Sequence, residues 1–180
     1  MTAAVDWSRW SVVLLKPDCL TRGLAAPVLA RISQHLTVVD QRTAIATEGQ
    51  IFAHYDDLLT TRLADFTWVD VRAALRFIYV GFRVGIALAY GQDAAPRLRD
   101  LIGHFDPSRA RPDTIRGRFG IDSLQRATAA GRLIANLIHT SDDPAGAERE
   151  FGIWYGLDQQ YLLHPPIDVE GTADDHLAAR

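Results

Sequence analysis

Apolar residues fall along this chain in two kinds of run, short continuous ones and longer ones of helical period. The stretch 11–15 is β-branched and apolar, reads as a buried strand, and stops at Lys16-Pro17-Asp18. Proline disfavours helical geometry in the residue before it, so Lys16 sits at the strand's exit. Residues 23–34 carry Leu24, Val28, Leu29 and Ile32 at helical spacing, with Pro27 tolerable only in the first turn. A second strand over 36–46 and a helix over 50–63, bearing His54 and Tyr55, come next. Residues 64–80 fit a further helix through Val69, Val71, Ala74, Leu75 and Ile78. The run 83–90 is a strand ending at Gly91, and 93–102 is a helix stopped by Gly103. Residues 103–120 read as a loop rich in Gly, Pro and Arg, and loops of that length inside a compact domain are usually functional.

An Ala-rich, partly helical insertion over 121–135 leads into a last apolar run, Leu133, Ile134, Leu137 and Ile138, read as a buried strand. A Ser/Asp cluster before Pro144 then starts the final helix, with an N-cap oxygen and a proline in the first turn. Four short strands among helices predict an α+β fold, a ferredoxin-like four-stranded antiparallel sheet with helices packed on one face. The predicted organisation is a single domain over 1–164, with insertions at about 64–80 and 121–135, and an acidic tail over 165–180.

Composition narrows the function classes. Hydrophobic residues make up 48% and charged residues 23% of 180, ordinary values for a globular chain. A net charge of −3 gives no electrostatic case for nucleic acid. No apolar run approaches the ~20 residues that span a bilayer, so no membrane role is expected. The single cysteine, Cys19, excludes an intrachain disulfide framework and a thiolate metal site, and predicts a reducing, cytoplasmic setting. Of 19 basic residues only Lys16 is a lysine. A lysine kept where arginine is otherwise used throughout is a candidate for work that needs a compact ammonium.

The candidate chemistry gathers after the last predicted strand, at Asn136-Leu137-Ile138-His139-Thr140-Ser141-Asp142-Asp143-Pro144. Helical spacing puts Ala147, Glu150, Phe151 and Trp154 on one face of the helix that follows. Glu150 is thus a carboxylate on an apolar stripe, where it needs a partner. His139 is the nearest one. A carboxylate on one ring N–H fixes the tautomer and leaves the other nitrogen as base, nucleophile or metal ligand. A structural histidine capping a loop is the competing reading of this stretch alone.

Lys16-Pro17-Asp18 with Arg22-Gly23-Leu24 resembles the opening motif of the nucleoside diphosphate kinase family. Thr114-Ile115-Arg116-Gly117 and Asn136-Leu137-Ile138-His139-Thr140-Ser141-Asp142 resemble its arginine loop and active-site histidine motif. His54-Tyr55 is similar to its His-Tyr pair, and Ala147-Glu148-Arg149-Glu150 with Trp154 continues the match, which covers roughly residues 10–156. The resemblance implies a phosphotransferase acting on nucleoside tri- and diphosphates, with His139 accepting the phosphoryl group. Glu150 would hold the other ring nitrogen, Ser141 would support that contact, and Tyr55 would sit beside the phosphohistidine. Lys16, Arg99, Arg116 and Asn136 would bind phosphates and sugar, and Phe66 is the candidate to stack on the base. It further implies Mg²⁺ bound through the nucleotide phosphates, and a homo-oligomer. A specialised phosphotransferase on a nucleotide-like metabolite, or a catalytically weak nucleotide- or partner-binding homologue, is the alternative. His35, His54, His104, His164 and His176 lack a constellation and are expected to be structural or at the surface, and no histidine metal site is expected.

The chain departs from the family pattern at Cys19, where glycine is usual, at Arg118, where an acid is usual, and at Phe105, where a threonine is usual. These departures, with the two insertions, are expected to alter grip on the nucleotide and spare the histidine. A straight final strand would turn Asn136 and His139 to opposite sides, so the chain is expected to bend or end between them.

Overall fold

The computed structural model describes residues 4–166, so most of the predicted tail lies outside the described residues. In chain order its strands and α-helices are β1 (Trp10–Leu15), α1 (Pro17–Thr21), α2 (Ala25–Ser33), β2 (Thr37–Ile45), α3 (Glu48–His54), α4 (Asp56–Thr61), α5 (Val71–Tyr79), β3 (Arg83–Tyr90), α6 (Ala94–Ile102), α7 (Ile115–Phe119), α8 (Leu124–Ala129), β4 (Ile138–Thr140) and α9 (Pro144–Trp154). The predicted helix over 50–63 is two helices. A capping box between Thr47 and Gln50 starts α3 early, and the chain turns at Tyr55 before α4. In the segment 64–80 only the second half is an α-helix, started where the Asp70 side chain accepts from Ala73 N.

The four strands form one antiparallel sheet in the order β2-β3-β1-β4, the split arrangement of the ferredoxin-like α+β fold. Helices cover both faces of this sheet, not the one face expected. The reason lies in β1 and β3, which are buried at every position but one. Successive side chains alternate between faces, so an all-apolar strand gives each face a surface to bury. Val12, Leu14, Ile86 and Leu88 pack with Ile51, Leu75, Phe151 and Trp154 of α3, α5 and α9. Val13, Leu15, Ala87 and Ala89 pack with Val28, Ile32, Leu98, Ile102 and Ile115 of α2, α6 and α7.

The last apolar run is also shorter in strand than expected. Only Ile138–Thr140 pairs with β1, while Leu133 and Ile134 lie in the connection before it. Central β1 and short β4 end side by side, and Leu14 pairs with His139. That end of the sheet carries the candidate chemistry.

Candidate active site

The site begins with a turn at Leu137. This buried leucine has φ +70°, a left-handed conformation that is strained for a γ-branched side chain. Three contacts hold it there. Its N–H donates to Asp18 Oδ2 at 3.0 Å, its carbonyl accepts from Lys16 N at 2.9 Å, and Ile138 N closes the turn on Asn136 O at 2.8 Å. The chain therefore bends between Asn136 and His139, and both side chains reach one cavity. Asp18 is the structural partner in this arrangement that sequence reasoning did not single out.

Beyond the turn, a chain of three groups fixes the ring of His139. Its Nε2 lies 2.8 Å from Glu150 Oε1. Ser141 Oγ donates to Glu150 Oε2 at 2.7 Å and accepts from Val12 N at 2.9 Å, so the network is anchored on the backbone of β1. Glu150 and Ser141 are fully buried, as the helical spacing in α9 required. Burial raises the Glu150 carboxyl, while burial and then Lys16 lower His139. Both effects favour the neutral ring, and a carboxylate facing Nε2 assigns the proton to that nitrogen, which leaves the lone pair on Nδ1.

His54 belongs to this site, contrary to the expectation that it stands apart. Its ring is buried, edge-on to His139 at 4.4 Å between centroids, and accepts at Nδ1 from Trp154 Nε1 at 3.2 Å. Burial and the neighbouring His139 lower it well below the ordinary histidine range. Its proton is therefore assigned to Nε2, which has no hydrogen-bond partner among the described residues. The signal available in the sequence was its position next to Tyr55, on the same helix end.

The basic residues converge on the cavity from three elements. Lys16, at the N-terminal edge of α1, is held by Asn136 Oδ1 at 2.7 Å, and Asn136 Nδ2 donates to Phe105 O at 2.8 Å. Burial, then Arg116, lowers the Lys16 ammonium to about 8. Arg116, in α7, is buried and donates to the carbonyls of Asn136, Gly103 and Ile138 at 3.2, 2.9 and 2.7 Å. A guanidinium has about five N–H groups, so roughly two remain for a ligand. Gly117 makes this geometry possible, because a Cβ there would lie 1.9 Å from the Arg111 carbonyl oxygen. Arg99, half exposed on α6, pairs with Asp142 at the cavity edge.

The cavity measures about 1560 Å³ and reaches from these cations to an apolar end. Phe66 lines it, with Trp68 at 5.3 Å between rings. The insertion forms the facing wall through Leu124, Leu133 and Ile134, and Trp68 Nε1 donates to Arg132 O at 3.4 Å across the gap. Tyr55 lines the cavity too, with its hydroxyl 2.7 Å from that of Tyr79. Phe105 also borders it, whereas Arg118 is exposed and lies over the ring of its neighbour Phe119, away from the lining residues. Every sequence-predicted site residue thus meets at this cavity or, for Glu150 and Ser141, directly behind it.

His54, His139 and Glu150 could in principle present three ligand atoms, all within 4.8 Å of one another. The Trp154 N–H occupies the His54 lone pair that such a ligand would need. Two ring nitrogens and one carboxylate also suit Mg²⁺ poorly, since that ion prefers an octahedron of oxygens. Within the trio His139 and Glu150 share a hydrogen bond, while His54 bonds to Trp154 instead.

Comparisons with known proteins agree with this geometry. A sequence model described as nucleoside diphosphate kinase matches residues 10–159. A nucleoside diphosphate kinase of Nocardioides is 34% identical over 148 residues, covering 81% of this chain and 95% of the relative. One of Rhodococcus erythropolis is 33% identical, over 81% and 93% of the two chains. Among solved structures, a transition-state mimic of nucleoside-diphosphate kinase from Borrelia burgdorferi with bound vanadate and ADP superposes with a TM-score of 0.74. It is 28% identical and covers 84% of this chain and 89% of that one.

Proposed function

The chain belongs to the nucleoside diphosphate kinase family and is a phosphotransferase of that kind, and on this premise we propose that His139 Nδ1 carries the phosphoryl group between nucleotides. In the first half-reaction the Nδ1 lone pair attacks the γ-phosphorus of a nucleoside triphosphate. The N–P bond forms as the bond to the bridging oxygen breaks, and the diphosphate leaves with that oxygen. In the second half-reaction a terminal oxygen of another diphosphate attacks the phosphohistidine, the N–P bond breaks, and Nδ1 recovers its lone pair. Lys16 and the free N–H groups of Arg116 and Arg99 bind the phosphoryl oxygens, where charge builds in the transition state. Asn136 orients Lys16, Tyr55 flanks the phosphohistidine, and Phe66 packs on the base. A Mg²⁺ ion carried on the nucleotide phosphates would neutralise part of their charge. The protein works in the cytoplasm as a homo-oligomer.

One observation carries this reading: the 2.8 Å contact between His139 Nε2 and buried Glu150. It turns the proton-bearing nitrogen away from the cavity and leaves Nδ1 as a neutral nucleophile. Incubation with ATP labelled at the γ-phosphate should give an acid-labile, alkali-stable phosphoprotein, and His139→Ala should abolish it. Glu150→Gln should retain the label but form it more slowly, because an amide sets the tautomer less firmly. Full labelling of the His139→Ala protein would sink the reading.

A further inference from the structure

Tyr79 is the last residue of α5, and sequence reasoning assigned it no role of its own. Its ring is largely buried and borders the same cavity as Tyr55, and the two hydroxyls lie 2.7 Å apart. The two rings are 5.7 Å apart and inclined by 48°. Tyr55 faces the reacting centre. It meets His54 edge-on at 4.8 Å, lies 6.2 Å from the His139 ring, and has Lys16 Nζ 6.0 Å from its centroid. Tyr79 makes none of these contacts.

We propose that Tyr79 is a positioning residue for phosphoryl transfer: its hydroxyl donates to Tyr55 and so directs the Tyr55 proton toward the transferring phosphoryl oxygens. Each phenol has one proton and can also accept. Two hydroxyls facing each other use one proton between them and leave the other free. Among the described residues neither hydroxyl has another partner. An anionic phosphoryl oxygen beside His139 is a stronger acceptor than a neutral phenol, so a bound substrate takes the Tyr55 proton. The Tyr55 oxygen then accepts from Tyr79, and each bond polarises the next. Burial raises both hydroxyls above the ordinary phenol range, so both keep their protons as the relay requires. No proton moves from one residue to the other. A phenylalanine at position 79 would fill the same core space without a polar atom to satisfy, so packing alone gives no reason for the hydroxyl.

This proposal rests on the phosphohistidine reading, and the test separates the two. The rate of His139 labelling by γ-labelled ATP, and of its discharge to ADP, would be measured for the native protein, Tyr55→Phe, Tyr79→Phe and the double variant. Tyr79→Phe should slow both half-reactions about three- to tenfold, the effect of one neutral hydrogen bond. KM for ATP should change little. In the Tyr55→Phe background the same substitution should add no further loss, because Tyr79 acts through Tyr55. An equal loss in both backgrounds, or no loss in either, would overturn the proposal. Should Tyr79→Phe fail to fold, 3-fluorotyrosine at position 79 supplies a stronger donor of nearly native size. Faster labelling is then expected, and unchanged or slower labelling overturns the idea. A native protein that never labels would overturn the phosphohistidine reading, and this one with it.

Discussion

Lys16 shows how a single residue acquires its working properties from its neighbours. At the exit of β1 it is sealed under Asn136 and faces Arg116, and these surroundings bring its ammonium down to about 8 from an ordinary 10.5. The fold therefore disfavours the charge. Between those two pH values the unfolded chain binds more protons than the native protein, so this residue makes stability rise with pH across that window, and below it the penalty is present in full. Under the proposed role of Lys16 in gripping phosphate, activity runs the other way. The pH profile of kcat/KM should fall above about pH 8, as the free enzyme loses this proton, whereas kcat should hold to higher pH because bound phosphates restore it. Lys16→Arg should remove the alkaline limb, since a guanidinium stays charged. A limb unchanged in that variant would assign the titration to another group. The two departures nearest the arginine loop separate at this scale. Phe105 borders the cavity and lends its carbonyl to Asn136, while Arg118 lies over the Phe119 ring and does not line the cavity.

At the scale of elements, the insertion before β4 is a built wall. Asp122 is buried, takes both terminal nitrogens of Arg132 at 2.5 and 2.9 Å, and also accepts from Ala135 N at 2.9 Å. The Arg132 hydrogen bond lowers Asp122 to about 2. A carboxylate depressed in the folded state contributes stability that is fully present above its unfolded value and is lost as pH falls toward 2. This clip closes the segment that carries α8, Leu124 and Leu133 against the apolar end of the cavity. Arg132→Ala leaves Asp122 buried without its charged partner and should destabilise by about 1–3 kcal/mol, measured by chemical denaturation. It should also raise KM for nucleotides while leaving the rate of His139 labelling at saturating ATP close to native. A variant that loses labelling while KM stays fixed would show that the wall supports the chemistry rather than the base.

For the whole molecule, the sheet's outer strand leaves a surface that invites assembly. β2 is an edge strand whose positions, from Asp40 onward, alternate between partly buried and exposed. Near its end Ile45 is 54% exposed, and Phe82, tied to Ala46 through its carbonyl at 3.0 Å, is also 54% exposed. An unpaired edge beside exposed apolar side chains is a surface that natural proteins cover. Light scattering at micromolar concentration should give a multiple of the 19.9 kDa chain mass, and Phe82→Asp should shift it downward. A strict monomer in the native protein would reject the homo-oligomer.

The order of apolar runs was enough to place three strands within a residue or so, because their boundaries coincide with a proline, a glycine or a change of period. It was also enough to put Glu150 on the buried face of α9, since that rests only on helical spacing, and local motifs led to His139, Lys16 and Arg116. The fourth strand was overextended because apolar residues in a cavity wall look, in one dimension, like those in a strand. Leu133 and Ile134 serve the wall. Three-dimensional contacts alone decided the rest. The left-handed turn at Leu137 depends on a carboxylate 119 positions away. His54 joins the site because α9 carries Trp154 to its ring, and Tyr79 meets Tyr55 because α5 folds back beside α3. Such pairs have no period and no spacing, so only the folded chain brings them into view.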